Sequence, residues 1–412
     1  NRLPIQFQTY LGELMKRSIK IAVAAALALS ATSAFATNGD NLIGVGAKAR
    51  GMGGAGIGMS HGAESALANP ALISSVKGTE ISFGGTIFMP DVQTNVGMGQ
   101  GSLKSDADLS VIPEVAVAQK VSDNFTWGIG MFGTAGMGTD YRNEAAGTGN
   151  FNMVTNLQLM QFAVPLAYST NGFSVAVAPI LQYGSLDINY YSPGALANGT
   201  NYSSTKGVAQ DLGMGYSVGA AYTMNNLTLG AVYKSAIDMQ YKGQISQAMF
   251  DFGMTGSDNL EQPAEMGAGA SYTMDGHTLA VDYKKIKWAD AKGYKDFGWD
   301  DQNVYVIGYQ YAQDAWAVRA GWNHAKSPIK ELSGSANAQK INMFNLLGFP
   351  AIVEDHYTLG GSYAFTKMTS LDLAYVYVPE TTETFVTTAA TGGSTTTKHS
   401  QDAVSFQLNF AF

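Results

Sequence analysis

Residues 402–412 alternate strictly: Val404, Phe406, Leu408, Phe410 and Phe412 on one face, Ser405, Gln407, Asn409 and Ala411 on the other. Alternation of this kind describes a strand with one apolar face and one small, polar face. It recurs in Leu371, Leu373, Tyr375 and Tyr377, in Trp316, Val318, Ala320 and Trp322, and in Phe125, Trp127, Ile129 and Met131. Marking each run predicts about fourteen strands, near 79–89, 109–119, 124–134, 155–168, 172–185, 207–224, 226–241, 262–274, 277–288, 302–312, 315–325, 355–365, 369–379 and 402–412.

The connections sort by length. Short turns such as Ser169-Thr170-Asn171 and Asp275-Gly276 alternate with long segments such as 90–108, 186–206 and 326–354. An even number of roughly ten-residue strands with short turns at one end and long loops at the other describes an outer-membrane barrel. Lipid leaves no unpaired backbone group solvated, so the sheet must close, its apolar face on lipid and its polar face on the lumen. Trp127, Trp288, Trp316, Tyr375, Tyr377 and Phe412 are expected in interfacial girdles. Only 14% of residues are charged, against roughly a quarter in soluble domains. There is no cysteine, and the formal charge of −8 gives no basic face for nucleic acid.

Residues 1–14 precede Met15 without a usable pattern and are read as an upstream extension. Residues 15–36 read as a signal peptide, with Lys16, Arg17 and Lys20 before an apolar run and cleavage expected after Ala36. No later window is apolar enough for a transmembrane helix. The segment 37–78 is glycine-rich, too apolar for a solvated linker and too rich in glycine for a long helix or strand. It is therefore expected to be a hatch held inside the barrel of residues 79–412.

That segment also carries a family resemblance. Gly46-Ala-Lys-Ala-Arg-Gly-Met-Gly-Gly-Ala-Gly56, followed by Ala68-Asn-Pro-Ala-Leu-Ile73, resembles the N-terminal hatch of FadL/TodX-type outer-membrane transporters. Val318–Trp322 and Phe349–Gly360 match further stretches, and Phe412 resembles the terminal aromatic read by the barrel-assembly machinery. The resemblance implies a fourteen-stranded, hatch-occluded barrel in the bacterial outer membrane, working as a monomer among lipid and lipopolysaccharide. It implies passive transport of hydrophobic small molecules, most simply long-chain fatty acids, with aromatic hydrocarbons as the alternative. Cargo would be caught by external loops, held in the lumen and released beside a kinked third strand. A structural or adhesive barrel with an inert hatch is the reading outside transport.

Site expectations follow. Gly51, Gly53, Gly54, Asn69, Pro70 and Ala71 are the hatch and gating residues, with Asn69-Pro70 fixing a turn. Gly128, Gly130 and Gly133 permit a bend in the third strand, or merely let it pack closely on the hatch. Arg319 and Lys284 lie on the lumen face as candidate partners for a fatty carboxylate; the competing reading of Arg319 is an internal salt bridge, for instance to Glu114. Phe88 and Phe132 line an apolar path or pack on the hatch. No cofactor, metal site or catalytic residue is expected: the GxGxxG of Gly51–Gly56 follows no strand, and the five histidines are scattered.

Overall fold

The computed structural model describes residues 38–143, 149–191, 203–204 and 207–412. The upstream extension and the signal peptide lie outside these residues. Fourteen long antiparallel strands form one closed sheet. In order they are β1 (Thr79–Asn95), β2 (Ser110–Lys120), β3 (Phe125–Asp140), β4 (Val154–Ala163 and Leu166–Thr170), β5 (Phe173–Tyr190), β6 (Ala209–Met224) and β7 (Leu227–Lys234). The second half comprises β8 (Glu265–Met274), β9 (His277–Ile286), β10 (Gln302–Gln313), β11 (Trp316–Ala325), β12 (Asp355–Ala364), β13 (Thr369–Val386) and β14 (Ser394–Ala411). Each strand pairs with the next, and β14 closes on β1 from Glu80↔Ala411 to Asn95↔Thr396. Thr79 and Phe412 exchange backbone hydrogen bonds of 3.1 and 2.9 Å, which places the chain end in the closing seam.

Alternation sets the faces. Val175, Leu212, Met214, Leu359 and Leu373 are exposed on the outside, where lipid would cover them, while Thr86, Gln182, Asn323 and Gln407 are buried inside. At the short-turn end, Asn171-Gly172 and Asp275-Gly276 hold positive φ (49° and 83°; 51° and 83°). This geometry suits a two-residue hairpin and selects Asn-Gly and Asp-Gly.

Three expectations need correction. The strands predicted at 369–379 and 402–412 reach much further toward each other: β13 runs to Val386 and β14 starts at Ser394, joined around the short helix Thr388–Thr391. Threonine is β-branched and suits strands, and its hydroxyls pair across the ladder (Thr384–Thr396, 2.9 Å). β7 ends at Lys234 rather than 241, the chain beyond it folding back through an isolated Ile237↔Gln262 bridge. Trp288 is no girdle residue: it is fully buried against Tyr294 (4.6 Å) and Trp299 (5.1 Å).

Those rings belong to an apolar layer over the long-loop end. It is built from the 287–301 connection and two helices, α3 (Ile245–Asp251) and α4 (Ala336–Gly348), after two short ones in the hatch, α1 (Ala47–Gly51) and α2 (Ser65–Ala68). Phe297 stacks on Phe344 at 5.7 Å, and Phe252 meets Phe344 edge-on at 6.5 Å. Below this layer the hatch fills the lumen.

Candidate functional site: hatch, seal and luminal cavity

The hatch is bound to the wall by charge. Asp282 of β9 accepts hydrogen bonds from three consecutive backbone N–H groups, those of Gly56 (2.7 Å), Ile57 (2.8 Å) and Gly58 (3.2 Å). Arg50 of α1 pairs with Glu114 of β2 at 2.5 Å, and Glu114 also accepts the Gly46 N–H at 3.0 Å. Lys48 lies 3.7 Å from Glu64 and 3.8 Å from Asp372. Buried ions persist only when paired in this way.

The predicted hatch residues shape its turns. Gly53 and Gly54 take φ of 71° and 91°, which a side chain would resist, and their loop is held by Gly53 N–H to Thr358 Oγ1 and Asn323 Nδ2 to Gly53 O, both 3.0 Å. Gly51 passes against Gly360 of β12. Asn69 accepts the Ala71 N–H (3.2 Å) to start the 3-10 turn Pro70–Ser75, and its Nδ2 donates to Ile57 O (2.9 Å) and Ala220 O (3.2 Å). One side chain thus ties two parts of the hatch to β6. Ala71 is fully buried against Ala221.

Two hatch groups outside the strands are held away from their ordinary protonation. Burial pushes Glu64 up to about 8 despite Lys48, and it pushes His61 down to about 4, so that the ring is neutral and its Nε2–H donates to Ala55 O at 2.6 Å.

The third strand departs from regularity where the hatch begins. β2 and β3 pair from Lys120↔Thr126 to Glu114↔Phe132, while the start of β2, Ser110–Pro113, pairs with β1. On its other edge, β3 shifts register against β4 between Gly133 and Ala135. The β2-facing edge beyond Gly133 is covered by the hatch: Leu42 N–H donates to Thr134 O (3.0 Å), Gly136 N–H to Asp40 O (3.1 Å), and Asn41 bridges Ala135. Residues 40–42 therefore act as a short sealing strand. Gly128 and Gly130 fall in the regularly paired part, and only Gly133 touches the irregularity. Asp40, also bonded by the Tyr294 hydroxyl, is fully buried, and burial raises its carboxyl to about 7.

Next to this seal is a luminal cavity of about 80 Å³. Leu42, Ile43, Ile57, Leu67, Val232 and Val306 give it apolar walls, and Lys234, Lys284 and Glu265 form a charged end. Lys234 Nζ lies 3.5 Å from Glu265 Oε1, and Lys284 Nζ lies 3.3 Å from Oε2.

Of the two predicted cations, Lys284 faces this cavity and Arg319 does not line it. Arg319 is buried in a network of Gln310 (2.7 Å), Ser362 (2.5 Å) and Asp372 (3.3 Å). The internal pair weighed for it exists, with Asp372 rather than Glu114 as partner. Phe88 lines a second cavity, of about 20 Å³, with Arg50, Leu42 and Ile43. Phe132 is buried against Gly130 in the main core. Lys234 and Glu265 were not singled out from the sequence, although alternation alone turns both inward, opposite lipid-facing Tyr233 and Met266.

A closed barrel, apolar outside and stoppered inside by its own N-terminal segment, is a plugged membrane channel rather than an open pore. Over residues 21–412 the sequence matches the family described as outer membrane protein transport protein (OMPP1/FadL/TodX). It is 24% identical over 410 residues to the 47 kDa outer membrane protein of Pasteurella multocida strain Pm70, covering 87% of this chain and 92% of that one. It is 24% identical over 430 residues to the long-chain fatty acid transport protein of Escherichia coli K12, covering 87% and 91%. Among solved structures, a FadL homologue of Pseudomonas aeruginosa superposes with a TM-score of 0.68 at 17% identity, over 91% of this chain and 100% of that one. The toluene transporter TodX of P. putida superposes with a TM-score of 0.67 at 18% identity, over 90% and 99%. The chain belongs to the FadL/TodX family of outer-membrane transporters of hydrophobic compounds. Its place is the outer membrane, and the family consists of transporters and channels rather than enzymes.

Proposed function

We propose that this protein is a passive, hatch-gated transporter of hydrophobic carboxylic acids, long-chain fatty acids above all, with no catalytic step. The observation that carries this reading is the pair Lys234 and Lys284, with Glu265, at one end of a luminal cavity whose walls include Leu42, Ile43, Ile57, Leu67, Val232 and Val306. Apolar walls with a few fixed polar groups suit an amphiphile, with the polar groups setting its orientation. Two ammonium groups suit a carboxylate, with charge-assisted hydrogen bonds, and offer an aromatic hydrocarbon only the weaker attraction of a cation for a ring face.

Cargo would first meet the aromatic layer over the barrel, where Tyr294, Phe297, Trp299 and Phe349 line a small apolar cavity. It would then enter the lumen with its carboxylate at the lysines. Cavities that enclose ligands measure about 300–1,000 Å³, so a space of about 80 Å³ holds the head of such a molecule and not its tail. Tail entry requires the hatch to give way, which couples binding to gating. Withdrawal of residues 40–42 would open the β2–β3 wedge and let cargo leave sideways, down its gradient. Insertion through an assembly machinery that reads Phe412, contact with lipopolysaccharide and function as a monomer belong to the same proposal.

Equilibrium binding to purified protein in detergent tests the cargo class. Oleate is expected to bind, toluene not to compete, and the Lys234→Met/Lys284→Met pair to bind oleate about ten-fold more weakly or worse, the scale of a charge-assisted hydrogen bond. Toluene binding with oleate indifferent to the double substitution would move the protein to hydrocarbon cargo.

A further inference from the structure

Glu265 stands where the cargo carboxylate is placed above. It rises at the first position of β8, directly opposite Lys234 of β7, and reaches Lys284 of β9 diagonally. Its Oε1 also accepts a hydrogen bond from Asn41 Nδ2 at 3.3 Å, and Asn41 Oδ1 accepts one from Gln262 Nε2 at 2.6 Å. Asn41 is the central residue of the segment that seals the β2–β3 wedge. One carboxylate therefore touches both lysines of the cavity and the seal.

The contacts are loose. Tight ammonium–carboxylate hydrogen bonds measure about 2.7–2.9 Å, whereas those to Glu265 measure 3.3 and 3.5 Å. Asp282, the other carboxylate of the cavity, is engaged by three hatch N–H groups, so Glu265 is the carboxylate that an arriving anion can displace from the two lysines.

Resting on the fatty-acid reading, we propose that Glu265 is a built-in stand-in for the cargo's head group. It keeps the two partly buried lysines paired and the hatch clasped through Asn41 while the lumen is empty. A cargo carboxylate arriving at Lys234 and Lys284 competes with it, draws it off Asn41 and so loosens the sealing segment. Neutral cargo of the same length cannot do this. The specificity of the gate thus lies in a competition between two carboxylates for one pair of cations, and a ligand opens the hatch only by the preference it has for the open arrangement.

The test uses Glu265→Gln, which keeps shape and removes charge. If Glu265 competes with cargo, the substitution tightens oleate binding about ten-fold, the order that a charge-assisted contact controls, and leaves oleyl alcohol unaffected. A glutamate with a merely structural role gives no gain in affinity. The second readout is a single thiol, Leu42→Cys, in a chain without cysteine. In the parent its labelling is slow, faster with oleate and unchanged by oleyl alcohol; with Glu265→Gln, or with Asn41→Ala cutting the clasp from the hatch side, it is fast without cargo. Oleate affinity unchanged or weakened by Glu265→Gln, with labelling still waiting on oleate, overturns the clasp alone. A parent protein that binds no oleate overturns the fatty-acid reading and the clasp with it.

Discussion

Asp282 concentrates the hatch's attachment in one side chain, since three successive N–H groups converge on its carboxylate. Removing it leaves three buried donors unpaired, at about 1–3 kcal/mol each. Asp282→Ala is therefore expected to loosen the hatch without opening the barrel, whose ladder it does not touch. In planar bilayers the substituted protein should pass ion current while the parent stays silent; equal silence would show that the hatch does not depend on this anchor. At this scale the sequence tells which way a side chain points, but not what it meets. Alternation turns Arg319, Glu114, Lys284 and Asp282 inward. The partners are fixed by hatch and register: Glu114 takes Arg50 from the hatch, and Arg319 takes Asp372 two strands away. Lys234 and Glu265 carried the same inward signal and became meaningful only once the lumen placed them beside Lys284.

At the scale of elements, the sealing segment and the third strand depend on each other. β3 gives up β2 beyond Phe132, and residues 40–42 take the vacated edge. Glycine in β3 hinted at a bend, yet the irregularity falls at Gly133–Ala135, where the pairing with β2 ends, and so was only partly legible. The seal carries a titratable group. Asp40 is raised by burial, opposed by the Tyr294 hydroxyl and reinforced by nearby Glu265. A raised carboxyl favours the packed state most when protonated. The contribution is full below the ordinary value of 3.8 and is lost as pH climbs through about 7. Glu64, raised to about 8, pulls the same way elsewhere in the hatch. Labelling of Leu42→Cys is therefore expected to accelerate between pH 5.5 and 8 relative to the same thiol in an Asp40→Asn background, a ratio that cancels the reagent's own pH dependence. A ratio flat across that range would remove Asp40 from the seal.

At the scale of the whole molecule the sequence is most legible, because the bilayer imposes the pattern. Each strand must present apolar side chains every second residue, as in Leu371–Tyr377 and Val404–Phe412, and backbone pairing must close on itself. Strand number, turn positions and the glycine-rich stopper follow from that. The connection between the strands predicted at 369–379 and 402–412 misled because threonine and glycine suggest a loop by composition, while β-branching and cross-strand hydroxyl pairs make it a hairpin. The proposed cargo was not legible, since that proposal rests on three side chains from β7, β8 and β9 meeting at one end of a cavity.

Uptake of labelled oleate and labelled toluene, side by side in cells lacking their own carriers, bears most directly on the whole account. Each is compared between the intact protein and the Lys234→Met/Lys284→Met form. Oleate uptake well above empty cells, lost with the lysines, and toluene entry indifferent to them is the predicted result. Oleate uptake that survives loss of both lysines, or that never exceeds empty cells, would contradict it.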